Sequence, residues 1–384
     1  MFSILKPFLF NLDPETAHDL AIKSLKFDFI PEKFFKVENE EMLETTFLKR
    51  KIKNPIGLAA GFDKSAEAYR SLWKLGFGLI EVGTVTPRKQ FGNPKPRIFR
   101  LKEDEALINR LGFNNDGLLT VMKRLEFGVI GRPGIFGVNI GPNFDSSCYE
   151  ADFCLCLFHI MKHSLADYVT INISSPNTES LREYQTEEKL ESLMKDINKI
   201  KKEPIDTLDD MPGSLLKIDP YGKELVRELL KIPKKETMDI PVFLKVSPDI
   251  EDSSVEKISK IIINQKISGV ILTNTSNVNR SSLKSANKDQ VGGLSGKPIR
   301  EPSTRLIKKF YKELKGKAYI IGVGGVDSGK SAFEKIVAGA NVIQLYTGMI
   351  YKGPGIVKEI KKQLIQILKA EGMKNIKDVV GKGI

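Results

Sequence analysis

The sequence is poor in cysteine and histidine, the residues that most often form disulfides and metal sites. Only three of each occur among 384 residues. An odd number of cysteines argues against a disulfide framework and favours a reducing compartment. Cys154, Cys156, His159 and His163 lie close together in the chain, but a helix would place only the two histidines on one face. We interpret this stretch as an amphipathic helix and expect no metal site.

Long apolar runs and nucleic-acid motifs are also missing. No apolar stretch approaches the roughly 20 residues that cross a bilayer, so no spanning helix is predicted. Lys and Arg outnumber Asp and Glu by 60 to 48, a net charge of +12 that favours anionic partners such as phosphate, carboxylate or an acidic membrane surface. The basic clusters at 49–51 and 231–235 lack interleaved aromatics. We interpret them as solvated surfaces and expect no nucleic-acid partner.

Residues 1–40 predict a helical pair unlike the rest of the chain. Apolar residues dominate the first ten positions, and Asp13-Pro14-Glu15 supplies an N-cap, a first-turn proline and an early acid. Two helices with one apolar side and nearby lysines suit a segment that rests on a membrane surface. Packing of the pair on the body of the protein is an equally supported alternative. No secretory signal is expected, because a basic start and a cleavage site are missing.

From residue 41 onward, after a predicted hairpin at 44–53, strand-like runs alternate with helical segments. The predicted strands lie at 56–59, 79–82, 135–138, 168–171, 242–246, 269–272, 319–323 and 342–345. Helices are predicted at 65–75, 150–163, 187–202, 253–264, 302–314 and 331–338. This alternation predicts an α/β fold of the (β/α)8 barrel type, with parallel strands joined by helical crossovers. Residues 85–134 and 203–240 are predicted insertions, the first folding over the barrel rim and the second on the surface.

The stretch 168–182 is the clearest candidate for a functional site. It begins as an apolar strand and then places amide and hydroxyl side chains around Pro176: Asn172, Ser174, Ser175, Asn177 and Thr178. Buried amide and hydroxyl groups are costly without hydrogen-bond partners, so a ligand over this tip would explain their density. A helix N-cap and turn would use the same residue types, and this stretch alone leaves both interpretations open.

The other predicted strands end in the same way, with a polar side chain or a glycine. In chain order these residues include Ala60, Gly61, Lys64, Thr84, Asn139, Lys245, Thr273, Asn274, Thr275, Gly325, Tyr346 and Thr347. In a (β/α)8 barrel the carboxyl ends of all strands meet at one rim, and the active sites of such barrels lie there. The repetition therefore favours a site at the rim over eight independent turns.

Glycines after the last two predicted strands indicate a phosphate site. Gly324, Gly325 and Gly348 occupy positions where barrels recurrently bind phosphate through backbone N–H groups, and the stretch 292–296 could form a further wall. Lys245, expected at the barrel mouth, needs an electron-rich partner such as the N1/C2 edge of a reduced flavin. No GxGxxG fingerprint follows the first strand, so FMN is the predicted cofactor rather than a dinucleotide.

A set of short motifs along the chain resembles one known family. The motifs are AAGFDK (59–64), EVGTVTP (81–87), GNPKPRIFRL (92–101), INRLGFNNDG (108–117), NISSPNT (172–178), LTNT (272–275), GGLSG (292–296), IGVGGVDS (321–328) and QLYTG (344–348). Together they resemble the class 2, quinone-dependent dihydroorotate dehydrogenases, flavoenzymes of pyrimidine biosynthesis. The resemblance covers nearly the whole chain and implies oxidation of dihydroorotate to orotate, with electrons passing through FMN to a membrane quinone.

The same resemblance implies a role for particular residues. FMN would be held by Ala60, Gly61, Thr84, Asn139, Asn172, Lys245, Thr273, Gly296, Gly325, Tyr346 and Thr347. Dihydroorotate would be held by Lys64, Asn109, Arg110, Leu111, Gly112, Phe113, Asn172, Asn177, Asn274 and Thr275. Ser175 would be the catalytic base, with Thr178 or water relaying the proton onward. His18, Arg100 and Tyr346 would line a quinone tunnel.

The resemblance also implies a location and leaves some alternatives. Residues 1–40 would rest on a membrane, making the chain a peripheral protein of the cytoplasmic face of a bacterial inner membrane, or of the mitochondrial inner membrane. Glu179-Ser180 replace the usual Pro-Gly of the family's lid loop, and Pro142 stands where a lysine is common. The alternatives are a class 1 relative that uses fumarate or NAD, and a non-catalytic protein that binds a membrane surface.

Overall fold

The computed structural model describes residues 2–126, 131–177, 179–203, 205–232, 240–278 and 280–384. The strands are β1 (Thr45–Phe47), β2 (Arg50–Ile52), β3 (Ile56–Leu58), β4 (Leu79–Val85), β5 (Ile98–Leu101), β6 (Ala106–Asn109), β7 (Ile135–Ile140), β8 (Tyr168–Asn172), β9 (Val242–Val246), β10 (Gly269–Leu272), β11 (Gly293–Gly296), β12 (Tyr319–Val323) and β13 (Val342–Leu345). The helices are α1 (Phe2–Asn11), α2 (Pro14–Lys26), α3 (Tyr69–Lys74), α4 (Leu118–Glu126), α5 (Tyr149–His163), α6 (Glu179–Arg182), α7 (Glu187–Lys202), α8 (Pro220–Leu230), α9 (Asp252–Asn264), α10 (Arg300–Leu314), α11 (Gly329–Val337), α12 (Thr347–Lys352) and α13 (Ile356–Ala370).

Eight of these strands close into a parallel barrel in the order β10-β12-β13-β3-β4-β7-β8-β9. Their residues are buried on both faces, as expected for a parallel sheet covered by helices. One apolar cluster fills the lower barrel and includes Phe47, Tyr168 and Phe243. A larger cluster lies between the strands and the surrounding helices. The predicted (β/α)8 barrel is confirmed.

The predicted and observed strands differ most at their carboxyl ends. β4 and β7 continue past the predicted ends at residues 82 and 138, and the added pairing joins Val85 to Ile140. This extension includes Thr84 and Asn139, which the sequence placed after the strands. Their side chains hydrogen-bond each other inside the barrel. The strands therefore continue where the apolar pattern stops.

The starts of α3 and α10 differ from the prediction for local reasons. α3 begins at Tyr69 rather than at residue 65, because the Asp63 carboxylate accepts hydrogen bonds from the backbone N–H of Glu67 (2.7 Å) and Ala68 (2.8 Å) and fixes a turn there. α10 begins at Arg300, which places Pro302 in the first turn. Backbone N–H groups there have no acceptor within the helix, so proline is tolerated.

The predicted helix around Cys154 and Cys156 is confirmed as α5, and both cysteines are buried. His159 and His163 stack one turn apart, with ring centroids at 4.6 Å. In the described part of the chain, no group of three His, Cys, Asp or Glu residues could hold a metal ion.

The predicted hairpin is confirmed as the antiparallel pair β1–β2. Phe47 of this hairpin contacts Phe243 and Tyr319, with ring centroids at 5.9 and 5.1 Å. Phe243 and Tyr319 lie within the first two residues of β9 and β12. The hairpin therefore closes the amino-terminal end of the barrel, and the opposite rim stays accessible to ligands.

The insertion at 85–134 supplies β5 and β6, which join β11 in a three-stranded antiparallel sheet. Asn109 at the end of β6 lines the same cavity as the strand ends of the barrel. The insertion therefore contributes part of the wall of this cavity. Residues 127–130 lie outside the described residues.

The segment 203–240 contributes buried residues as well as exposed ones. Its helix α8 is capped by Asp219, whose Oδ1 accepts a hydrogen bond from the Gly222 N–H at 2.8 Å. Leu225, Val226 and Leu229 of α8 are buried, and the helix packs against α5 on the outside of the barrel. The polar side of α8 is exposed. Residues 204 and 233–239, which include part of the basic cluster, lie outside the described residues.

The amino-terminal pair consists of α1 and α2, joined at the predicted cap. Asp13 Oδ1 accepts the N–H groups of Glu15 and Thr16, both at 3.0 Å. The pair packs on α3, α12 and β5, yet Leu5 and Phe8 of α1 are 51% and 69% exposed. One side of the pair is thus packed on the rest of the protein, and the apolar side of α1 is exposed. No helix among the described residues is long and apolar enough to cross a membrane.

Candidate active site

A buried carboxylate organises the barrel interior just below the rim. Glu81 Oε1 accepts a hydrogen bond from Asn139 Nδ2 at 2.8 Å, and Oε2 accepts from Tyr168 Oη and Gln344 Nε2, both at 2.9 Å. All four side chains are buried. Because Glu81 binds its amide nitrogen, Asn139 directs its oxygen toward the next layer. There it accepts from Thr84 Oγ1 at 2.6 Å.

Asn172 lies at the centre of the next layer. Its Nδ2 donates to Thr84 Oγ1 at 3.1 Å and to Asn139 Oδ1 at 3.3 Å. Its Oδ1 accepts from Ser174 Oγ at 3.1 Å and from Asn274 Nδ2 at 3.3 Å. Each amide orientation is therefore fixed by its neighbours, and the strand ends β4, β7, β8 and β10 are joined into one polar network.

Lys245 is the buried cation of this site. It is 5% exposed, and burial lowers the pKa of its ammonium group, while the Glu81 charge opposes that change. No described residue accepts a hydrogen bond from its Nζ, although the side chain lines the cavity. An ammonium group in this setting needs an anionic or electron-rich ligand.

Ser175 lies in the tight turn after β8 and is 4% exposed. Its Oγ accepts the N–H of Asn177 at 3.3 Å, which leaves the hydroxyl proton free to rotate toward the cavity. Asn274 Nδ2 donates a hydrogen bond to Ser174 Oγ at 3.0 Å and so supports the same turn. Thr178, the proposed relay, lies outside the described residues.

The turn 109–113 and Lys64 form the opposite wall. Gln90 Nε2 donates to Gly112 O at 2.8 Å, and Asn93 Nδ2 donates to Arg110 O at 2.9 Å, so the turn is held from behind. The Arg110 guanidinium instead donates hydrogen bonds to Gln290 Oε1 and to the carbonyl oxygen of Val291. Burial lowers the pKa of Lys64 to about 8, which keeps a substantial charged fraction at neutral pH.

These residues enclose one cavity of about 120 Å³. Of the residues predicted to act here, it is lined by Ala60, Gly61, Lys64, Thr84, Asn109, Leu111, Gly112, Phe113, Asn172, Ser175, Asn177, Lys245, Asn274, Thr275 and Tyr346. Arg110 and Thr273 do not line it, and Asn139 contributes through its bonds to Thr84 and Asn172. The structure therefore brings together the predicted base, the predicted cations and most of the predicted amide groups.

The remaining predicted residues form an adjoining glycine-rich corner. Ser295 lines the cavity, and its Oγ hydrogen-bonds Thr347 Oγ1 at 2.9 Å. A Cβ on Gly296 would lie 2.5 Å from the backbone carbonyl oxygen of Glu105, and φ is +94° there, so this position requires glycine. Among the residues described, the N–H groups of Gly324, Gly325 and Gly348 have no acceptor. Open backbone donors from two loops fit a phosphate group.

A second cavity, of about 290 Å³, lies between the amino-terminal pair and the rim. His18, Arg100 and Tyr346 all line it, among mostly apolar side chains. Arg100 binds the carbonyl of Leu12 at 2.7 Å and so holds the end of α1. Burial and the nearby Lys64 charge lower the pKa of His18 to about 3, so its imidazole is neutral. Tyr346 also lines the first cavity, so the two cavities adjoin.

Sequence reasoning missed several residues that position the site. Glu81 and Gln344 stand inside apolar strand runs, and a polar residue in the middle of such a run was the available signal. Arg97 and Glu15 form a buried ion pair, with Nη2 to Oε1 at 2.6 Å, that fastens α2 to the insertion. The partners are too far apart in the chain for spacing to indicate the pair.

The fold and this rim cavity define a (β/α)8-barrel enzyme with its polar site at the carboxyl ends of the strands. Comparison with known sequences gives the particular family. The chain belongs to the dihydroorotate dehydrogenase family, whose sequence profile matches residues 42–368.

Individual relatives cover nearly the whole chain. A protein named dihydroorotate dehydrogenase (quinone), from Bartonella tribocorum, is 42% identical over 371 residues, covering 96% of this chain and 93% of its own. The mitochondrial mouse protein of the same name is 40% identical over 378 residues and covers 96% and 87%. A crystal structure of ligand-free DHODH from Eimeria tenella superimposes with a TM-score of 0.84 at 35% identity, covering 96% of this chain and 99% of its own.

Proposed function

We propose that this protein oxidises dihydroorotate to orotate in pyrimidine biosynthesis and passes the electrons to a membrane quinone. The observation that carries the proposal is the single rim cavity that gathers Ser175, Lys64 and Lys245 with the asparagine amides. Family membership over residues 42–368 and relatives named as quinone-dependent enzymes support it.

We propose FMN as the cofactor. When bound, FMN supplies a two-electron acceptor that can pass electrons on to a quinone. Its ring would lie against Lys245, Asn139, Asn172 and Thr84, whose orientation the buried Glu81 supports. Its phosphate would meet the open N–H groups beside Gly296, Gly325 and Thr347. Ala60, Gly61, Thr273 and Tyr346 complete the proposed FMN set.

The substrate groups of dihydroorotate match the opposite wall. The Lys64 ammonium would bind the carboxylate, and the amides of Asn109, Asn177 and Asn274 offer donors and acceptors for the ring amide groups. The turn 109–113 would cover one face of the ring. Leu111 and Phe113 there make the wall apolar, which excludes water from the reacting carbon.

Ser175 is the proposed base that removes the proton from the ring carbon. A serine hydroxyl is a weak base, so its proton has to move onward as it accepts the new one. Thr178 or a water molecule would be the next acceptor in this proposal. The Asn177 N–H bond to Ser175 Oγ fixes the oxygen position, which favours transfer along one direction.

The second cavity is the proposed quinone tunnel. Its apolar wall suits a quinone ring, while Arg100 and the neutral His18 provide polar contacts near Tyr346. The exposed apolar side of α1 would rest on the membrane that holds the quinone. The chain would then be a peripheral membrane protein.

An acceptor panel tests the proposed function. With dihydroorotate as donor, the purified protein should reduce a soluble ubiquinone or menaquinone analogue and should not turn over with fumarate or NAD. Efficient turnover with fumarate or NAD and none with quinones would replace the proposal with a class 1 activity. A purified protein without flavin and without turnover would refute both.

A further inference from the structure

Lys335 on α11 is a buried lysine to which the proposed reaction gives no role. It is 0% exposed, and in the described part of the chain no carboxylate lies within ion-pairing distance of its Nζ. Lys361, another buried lysine, is instead paired with Glu40 at 2.6 Å. An uncompensated buried ammonium group is costly, and such a group usually has a partner.

The contacts of Lys335 lead to the glycine-rich corner. Its Nζ donates to Ser303 Oγ at 2.9 Å and to Thr304 Oγ1 at 3.2 Å. Ser303 Oγ in turn hydrogen-bonds the carbonyl of Val323, the residue before Gly324. A Cβ on Gly324 would lie 3.1 Å from Ser303 Oγ. The ammonium group therefore lies directly behind the loop that carries the open N–H donors.

The other charges around this corner are accounted for. Arg300 donates from Nε to Gly325 O at 2.9 Å, and its Nη2 pairs with Asp327 at 2.6 Å. Glu334 precedes Lys335 on α11 and attracts it without forming an ion pair. Burial and the Arg300 charge lower the pKa of Lys335 to about 7. Among the described residues around this corner, Lys335 is therefore the cation that lacks a carboxylate partner.

We propose that Lys335 is the counter-cation of the FMN phosphate, a positioning residue that acts through Ser303 and the Gly324–Gly325 loop. The inference rests on the proposed FMN cofactor and adds to it the group that makes the site prefer a phosphorylated flavin. The loop glycines supply hydrogen bonds to the phosphate, and Lys335 supplies the compensating charge behind them.

Riboflavin, which lacks the phosphate, is the probe that separates this role from a structural one. The full-length protein, purified with its flavin, is equilibrated with mixtures of FMN and riboflavin, and the bound flavins are then separated and quantified. This gives the ratio of the two affinities. In Lys335→Met the preference for FMN should fall by about tenfold or more, the effect of one unit charge over several ångströms in a protein interior. Affinity for riboflavin should stay unchanged.

Two further variants sharpen the test. Lys335→Gln keeps a hydrogen-bond donor near Ser303 but has no charge, and it also covers the case in which Lys335→Met does not fold. It should show the same loss of preference. Lys361→Met, which removes the paired buried lysine, should keep the wild-type ratio.

An unchanged ratio in Lys335→Met, or a wild-type ratio in Lys335→Gln, would overturn the inference. Equal weakening of both flavins would also overturn it, since that is the effect of a structural role. Failure of the cofactor proposal looks different, because the wild-type protein would then bind neither flavin.

Discussion

Single side chains in the barrel interior determine which chemistry the cavity can support. Glu81 fixes the Asn139 amide and attracts Lys245, and Asn172 joins four strand ends. The amide side chains of Asn139 and Asn172 therefore occupy positions set by buried hydrogen bonds. In the proposed mechanism, such preorganisation would hold the weak base Ser175 and the buried Lys245 in fixed geometry.

At the residue scale, Ser175→Ala should retain substrate binding but slow flavin reduction by about 100-fold or more, the usual size of a general-base contribution. Rapid mixing of the flavin-loaded protein with dihydroorotate measures the reduction rate, and the flavin spectrum with orotate measures binding. Ser254→Ala on α9, remote from the cavity, is the control. Reduction at the wild-type rate in Ser175→Ala would remove the serine from the mechanism.

Lys64 predicts a pH dependence at the same scale. Its pKa is lowered from 10.5 to about 8, so the free enzyme loses this positive charge as the pH rises through about 8. Because the charged form of Lys64 is the proposed partner of the substrate carboxylate, kcat/KM for dihydroorotate should fall above that pH. Lys64→Arg, whose guanidinium stays protonated, should show no decline over this range. A decline that persists in Lys64→Arg would assign the titration to another group.

At the element scale, the sequence located the barrel strands and most helices, because apolar runs and their spacing are local properties. The sequence also indicated which residues form the candidate site, because each predicted strand ends at a polar residue or a glycine. The extension of β4 and β7 through Thr84 and Asn139 was missed, because only the closed barrel gives these polar groups partners. The start of α3 depended on Asp63, whose hydrogen bonds to the N–H groups of Glu67 and Ala68 have no clear sequence signal.

The amino-terminal pair gives a prediction for this scale. Leu5→Glu with Phe8→Glu places two charges on the exposed side of α1, and binding to vesicles with acidic lipids should weaken at least about tenfold. Turnover with a water-soluble quinone analogue should change little, because neither residue lines the second cavity.

Vesicle co-sedimentation measures the binding, and Leu216→Glu, at an exposed apolar residue of the 203–240 segment, is the matched control. Unchanged sedimentation of the α1 variant would leave the pair with a packing role alone. Equal loss in the control would indicate a general charge effect.

The whole molecule places two cavities of different character side by side. The first is polar and lies over the barrel, and the second is apolar and lies under α1 and α2, with Tyr346 in the wall of both. This arrangement suits a reaction in which a polar donor and an apolar acceptor use one redox centre without meeting. The net charge of +12 favours approach to an acidic membrane surface.

Anaerobic double mixing tests the central claim most directly, that one flavin at the barrel mouth serves both cavities. The purified protein is mixed first with dihydroorotate and then with a quinone analogue while the flavin absorbance is followed. We expect dihydroorotate to bleach the flavin band and the quinone, but not fumarate or NAD, to restore it. A band that dihydroorotate leaves unchanged, or that the quinone does not restore, would contradict the account.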